Sequence, residues 1–241
     1  MLPFALLLLQ SAYKQTIPNT DVSYEMLPIP YSQPFWMSKH EVTWDEYRLF
    51  MFPKDAEEEK VDAVSRPTRP YVEMSFGMGL NGYPAISMTQ HAANKYAQWL
   101  SVRTGHFYRL PTEAEWEFAC RANAPAPQPL SDYAVFKAVR YAKAGSKKPN
   151  AWGLYDMLGN VMEWTIGGVA RGGGWASDAS LCTCASRTPY DPAWKIQDPQ
   201  LPKSVWYHTD AQWLGFRLVR PAKVPTKEER YAYWNNAVDR E

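Results

Sequence analysis

The chain has 241 residues, enough for one large domain or two small ones with a sizeable hydrophobic core. Its formal net charge of +1 excludes the strongly basic composition of a typical nucleic-acid-binding protein, so we expect no nucleic-acid partner. Aromatic residues make up 15% of the chain, and 20 prolines interrupt it. This composition predicts irregular segments held together by aromatic packing, and it argues against a helical bundle.

The first twelve residues form an apolar N-terminal segment. The run from Leu2 to Leu9 has the length of a signal-peptide core and is too short to span a bilayer. No Lys or Arg precedes it, so a strand buried against the domain or a partner is an alternative interpretation. We expect an extracytoplasmic protein, periplasmic or secreted, with membrane association through this segment as a further option.

Three short helices are predicted from their first residues. Thr43 and Glu46 have the spacing of a capping box, and so do Thr112 and Glu115. Between them, a helix that starts at Thr89 places small and aromatic residues on one face at helical spacing. The spacing therefore predicts short helices separated by irregular chain.

The segment from Arg171 to Cys184 reads RGGGWASDASLCTC and contains two of the three cysteines. Three cysteines are an odd number, so we expect no disulfide framework. Cys120 lies on the predicted third helix, where a buried free thiol is expected. Cys182 and Cys184 would point to opposite faces of an extended strand, which opposes joint metal binding and favours a packing role for Cys182.

The C-terminal extension, residues 223–241, is polar but contains three aromatic rings at Tyr231, Tyr233 and Trp234. A solvated tail does not require such rings. We expect them to pack on the domain or on a partner.

Several blocks of sequence together resemble the formylglycine-generating enzyme (sulfatase-modifying factor) family. They are MSKHEVT from Met37, RLPTEAEWE from Arg109, NAWGLYDMLGNVMEW from Asn150, RGGGW from Arg171 and LGFRLV from Leu214. The resemblance implies one α+β domain over residues 13–222, related to C-type lectins, with short helices, small antiparallel sheets and much irregular chain. Because the family contains both enzymes and proteins without known catalysis, the fold does not decide the function.

The resemblance also implies a structural calcium site at Asp156, Gly159, Val161 and Glu163. Two carboxylates there flank a glycine-containing turn whose carbonyl groups could face a cation, and Ca²⁺ prefers six to eight oxygen ligands. The alternative interpretation is that Asp156 and Glu163 cap local turns without a metal.

The copper site of the family's oxidising members is not expected here. In those enzymes a serine follows two glycines, and two cysteines five residues apart bind copper(I). On this chain these positions correspond to Gly174, Ser177 and Cys182. A hydroxyl group is a poor ligand for Cu(I), so catalysis would require Cys182 to act with Cys184 or Ser177.

We therefore expect a non-catalytic domain that binds other protein subunits, with no dedicated evidence for sugar binding. The predicted partner-binding rings are Trp194, Trp206, Tyr207 and Trp213, because Trp and Tyr are favoured at interfaces. The alternative is a copper- or thiol-dependent oxidoreductase that acts on a peptide cysteine, with Cys182, Cys184 and Ser177 as its candidate catalytic residues.

Overall fold

The computed structural model describes residues 11–52, 73–196 and 209–238. The apolar run from Leu2 to Leu9 and the predicted partner-binding residues Trp206 and Tyr207 lie outside these ranges. In chain order the described elements are β1 (Tyr13–Thr16), β2 (Ser23–Ile29), β3 (Phe35–Ser38), α1 (Trp44–Met51), α2 (Gln90–Thr104), α3 (Glu113–Arg121), β4 (Met162–Trp164), β5 (Val169–Arg171), β6 (Arg187–Pro189), β7 (Leu214–Gly215), β8 (Val219–Pro221) and α4 (Lys227–Trp234). This mixture of short helices and short strands confirms the predicted α+β class.

Two four-stranded sheets organise the domain. The first has the order β1-β2-β3-β8, with every pair antiparallel, so the last strand of the chain pairs with one of the first. The second has the order β6-β5-β4-β7. Its β4 and β7 are parallel, with Met162 opposite Leu214, whereas its other two pairs are antiparallel as predicted, so the second sheet is mixed. The long connection between β4 and β7 permits this parallel pairing, which a hairpin would not.

The helices begin where the capping signals predict. Thr43 and Thr112 form complete capping boxes with Glu46 and Glu115, and the Thr89 hydroxyl accepts from the Ala92 amide. These bonds satisfy amide groups that the first turn of a helix leaves free.

The main core is aromatic and lies between α1, α2 and the second sheet. The rings of Tyr47, Tyr96 and Phe216 are fully buried, and each contacts the other two with centroids 5.5 to 6.1 Å apart. A second cluster around Trp116 and Met157 lies between α3 and the first sheet. The site described next stands beside this second cluster.

The C-terminal extension packs on the domain through α4. The Trp234 indole donates to the Tyr108 carbonyl at 2.9 Å, and its ring lies 5.3 Å from that of Phe107. No helix in the described part of the chain combines the length and apolarity that a membrane span needs.

Candidate functional site

The glycines that follow β5 allow two stretches of chain to approach closely. Gly172 and Gly173 have φ angles of 89° and 72°, in the left-handed region that favours glycine. A Cβ on Gly173 would lie 2.8 Å from the Leu181 carbonyl oxygen and 3.0 Å from the Cys182 sulfur. The glycine run therefore packs directly against the segment that contains Cys182.

The third glycine and Ser177 form a closed turn. The Ser177 hydroxyl accepts from the Gly174 amide at 3.0 Å, and the Ser177 amide donates to the Gly174 carbonyl at 2.9 Å. A Cβ on Gly174 would lie only 3.0 Å from the Cβ of Trp213. Trp213 thus closes the space into which a side chain at position 174 would extend.

The cysteine pairing differs from the prediction. Cys120 and Cys184 form a disulfide with their Cα atoms 5.6 Å apart and a sequence separation of 64 residues. The expectation that the odd number of cysteines excludes a disulfide is therefore wrong, and so is the assignment of Cys120 as a free thiol. The physical reason is tertiary, because packing brings the end of α3 next to the segment after the glycine run.

Cys182 is the remaining thiol, and it is buried and unpaired. Burial raises the pKa of this thiol to about 11, so at neutral pH it remains protonated. Its predicted packing role agrees with its place in the apolar cluster around Trp116. Since the thiolate is the metal-binding form of cysteine, this environment disfavours copper binding at Cys182.

Glu163, a predicted calcium ligand, lies at the centre of a buried ion pair. Both of its carboxylate oxygens accept from the Arg217 guanidinium at 2.6 Å, and Oε2 also accepts from the Trp116 indole at 2.6 Å. Arg217 and Glu163 are both fully buried. The arginine also donates to the carbonyl groups of Ser38 and Tyr155.

Two further buried carboxylates lie near this pair. Asp156 has a positive φ of 56°, and its Oδ2 accepts from the Gly145 amide at 2.6 Å. Glu41 accepts from the Asn160 side chain at 3.0 Å. Asp156 Oδ1 and Glu41 Oε2 accept no hydrogen bond from another described group, and the two carboxyl groups are close enough to interact with each other. Burial raises the pKa of both groups, and the charge of Asp156 raises that of Glu41 further.

The four predicted residues do not fit a calcium ion in this arrangement. The two oxygens of Glu163 already accept three hydrogen bonds from Arg217 and Trp116, and within the described ranges no three His, Cys, Asp or Glu side chains gather in a metal-holding group. The calcium site stays a prediction, and we derive no function from it. Glu41 and Arg217 were not predicted as site residues, although they lie within the HEVT and LGFRLV blocks of the sequence.

The predicted partner-binding rings that the structure describes are half-buried. Trp194 packs on Trp164 and Tyr190 with centroids 5.7 and 5.9 Å apart. Trp213 packs against the main core and against Gly174. These two rings therefore have a structural role and still retain partly exposed surface.

The fold and the glycine, cysteine and arginine segments define an α+β domain of the formylglycine-generating type. The chain matches the model of the sulfatase-modifying factor enzyme 1-like domain over residues 27–222, and it belongs to that family.

Among curated relatives, the formylglycine-generating enzyme of Mycobacterium tuberculosis is 30% identical over 105 residues, 35% of this chain and 33% of that protein. A Bos taurus protein named inactive C-alpha-formylglycine-generating enzyme 2 is 31% identical over 127 residues, 40% of each protein. The Chlamydia pneumoniae serine/threonine-protein kinase pkn1 is 30% identical over 142 residues, 54% of this chain and 22% of the kinase. The chain therefore spans well under half of each of these relatives.

Solved structures confirm the fold. Treponema denticola variable protein 1 superposes with a TM-score of 0.65 at 19% identity, covering 88% of this chain and 99% of that one. PvdO from Pseudomonas aeruginosa gives a TM-score of 0.55 at 22% identity, covering 87% and 91%. At these identities the likeness extends to the fold alone.

Proposed function

We propose that this chain is a non-catalytic member of the family that binds other protein subunits in an extracytoplasmic complex. One observation carries the proposal: neither Ser177 nor Cys184 offers Cys182 a second free thiol with which to bind copper. Ser177 stands where the family resemblance places the first copper cysteine, and its hydroxyl is bonded within the Gly174 turn. Cys184, the other candidate, is joined to Cys120.

Two further observations support the proposal that the chain is non-catalytic. The thiol of Cys182 is buried and has a raised pKa, so a lone thiolate is disfavoured. The position of the family's serine is Gly174, where a Cβ would lie 3.0 Å from the Trp213 Cβ, so a side chain would crowd this ring. The relative from Bos taurus is itself named inactive, which is consistent with a family that includes members without the reaction.

An extracytoplasmic location is supported by the disulfide between Cys120 and Cys184, because such bonds persist mainly in oxidising compartments. The partly exposed rings of Trp194 and Trp213 support a protein partner, since Trp is enriched at interfaces. Membrane association through the N-terminal segment is a further part of the proposal.

Copper binding and partner capture test the proposal together. We expect the purified chain to take up less than one equivalent of Cu(I) in competition with a chromogenic chelator, and to leave a cysteine-containing peptide unoxidised. The tagged chain, purified from its native source after cross-linking, is expected to carry a stoichiometric protein partner. Stoichiometric Cu(I) uptake that disappears in Cys182→Ser would instead support the oxidoreductase alternative and overturn the proposal.

A further inference from the structure

A groove at the C-terminal side of the domain has the chemistry of an anion-binding site. It lies between the end of α2, strand β8 and helix α4, and its volume is about 310 Å³. We call it the C-terminal groove and define it by Val102, Phe107, Arg220, Val224, Arg230 and Trp234. It is separate from the glycine and cysteine segments described above.

Two guanidinium groups give the C-terminal groove its charge. Arg220 lies over the rings of Trp36 and Tyr13, 4.9 and 5.2 Å from their centroids. Arg230 donates from its Nε to the Thr226 carbonyl at 3.4 Å, within its own helix. Neither arginine forms an ion pair with a described residue, and the residues that line the groove include no Asp or Glu. The stacking holds Arg220 in position without pairing its charge with a carboxylate of the described residues.

The polar groups that line the groove do not neutralise this charge. The C-terminal end of α2 borders the groove, and a helix end contributes only about half of one negative charge. His106 also lines the groove, and burial together with Arg220 lowers the pKa of its imidazole, so it is neutral at pH 7. Two positive charges therefore outweigh the helix end, and an anion would be attracted.

Apolar surface stands beside the two arginines. Val102 and Val224 are 72% and 62% exposed, and the rings of Phe107 and Trp234 pack together beside them. A small inorganic anion would use the guanidinium groups and leave the two valines in water. A polypeptide that alternates carboxylates with apolar side chains would use both, because guanidinium–carboxylate pairs form charge-assisted hydrogen bonds and the apolar contacts release water.

We propose that the C-terminal groove binds an acidic, partly apolar peptide segment of a partner protein. This inference rests on the proposed function in taking the partner to be a protein. It adds the surface that is used and the chemistry of the segment that binds there.

Fluorescence anisotropy with a labelled hexapeptide that alternates glutamate and leucine tests the proposal on the full chain. We expect saturable binding that weakens as salt is added, and binding at least about tenfold weaker for the matched glutamine–leucine peptide. In Arg230→Gln and Val102→Glu we expect the affinity for the acidic peptide to fall about tenfold.

Two matched variants control for changes in total charge. Arg140→Gln removes an exposed arginine, and Val139→Glu adds an acid at a valine that is 91% exposed; neither residue lines the groove. Both are expected to bind the acidic peptide like the unmodified chain. The groove proposal is overturned if the two peptides bind equally, or if the groove variants bind as tightly as these controls. Partner capture that persists in Val102→Glu would overturn the groove proposal alone, whereas absence of any partner in the unmodified chain would overturn the proposed function.

Discussion

At the residue scale, the centre of the domain depends on one buried ion pair. Arg217 reaches Glu163 with two nitrogen atoms and shares that carboxylate with the Trp116 indole. Removing one partner of such a pair leaves a buried charge without compensation, which costs far more than an exposed pair contributes. The pair connects β4 to the chain that leads into β8.

Replacement of Glu163 by Gln is therefore expected to lower the free energy of unfolding by about 3–5 kcal/mol. Urea denaturation followed by circular dichroism measures this loss. Glu25→Gln is the matched control, because the Glu25–Lys39 pair is exposed and should contribute less than about 1 kcal/mol. Equal losses in the two variants would contradict the central role of the Arg217 pair.

A second residue-scale prediction concerns Glu46, the buried acid of the α1 capping box. Burial raises its pKa to about 7, from a reference value of 4.5. Between these two values the unfolded chain releases the proton while the folded chain keeps it, so stability falls as the pH rises. We expect Glu46→Gln to remove about 1–3 kcal/mol of this decrease between pH 4.5 and 7. Thermal unfolding of both proteins across this range measures the difference, and parallel pH profiles would refute the assignment.

At the scale of elements, the disulfide joins the end of α3 to the chain beyond the glycine run. Closing a loop of this length restricts the unfolded chain, and loss of such a bond typically costs about 2–5 kcal/mol. The double variant Cys120→Ser with Cys184→Ser is expected to lose stability in that range.

Peptide mapping without reduction checks the pairing itself, and it should recover Cys120 and Cys184 on linked peptides with Cys182 free. Cys182→Ala is the control that leaves the bond in place. Three alkylatable thiols in the unreduced, denatured chain would show that the bond does not form.

Calcium binding by the turn from Asp156 to Glu163 is the second prediction at the scale of elements. Because Glu163 is held by Arg217, we expect no heat of binding when chelator-treated protein is titrated with Ca²⁺ in a calorimeter, and no rise in melting temperature. If the titration instead gives a stoichiometric heat of Ca²⁺ binding, and Asp156→Asn abolishes it, the calcium site that the family resemblance implies is present.

At the scale of the whole molecule, the domain closes by pairing distant parts of the chain. Strand β8 pairs with β3, so residues near 36 and 220 are neighbours in one sheet. Helix α4 then covers Phe107 and connects through Asn235 to Lys95 on α2, at 2.7 Å. The described part of the extension, residues 223–238, is thus part of the folded domain and not an independent tail.

Truncation after Ala222 tests this closure. The shortened chain loses the Trp234 indole bond to Tyr108 and uncovers Phe107, so we expect its melting temperature to fall by several degrees, in line with a loss of about 1–3 kcal/mol. Trp234→Ala in the full chain should reproduce much of the loss, whereas Tyr231→Ala, at a residue that is 65% exposed, should not. A truncated chain as stable as the full one would show that the extension does not stabilise the domain.

The sequence by itself determined the local structure and the family. Capping boxes at Thr43 and Thr112 depend on residues three apart, so helix starts could be predicted from neighbours in the chain. The positive φ angles at Gly172 and Gly173 are likewise a local property, since glycine adopts that backbone conformation at low cost.

Tertiary structure alone decided the partners of the buried charges and of the cysteines. Cys120 meets Cys184 across 64 residues, and Glu163 meets Arg217 across 54. No local spacing encodes such contacts, because they follow from how α3, β4 and β8 pack around a common core. The sequence therefore contains the residues of the candidate site, but it does not show which of them bond to each other. Those bonds depend on the tertiary packing.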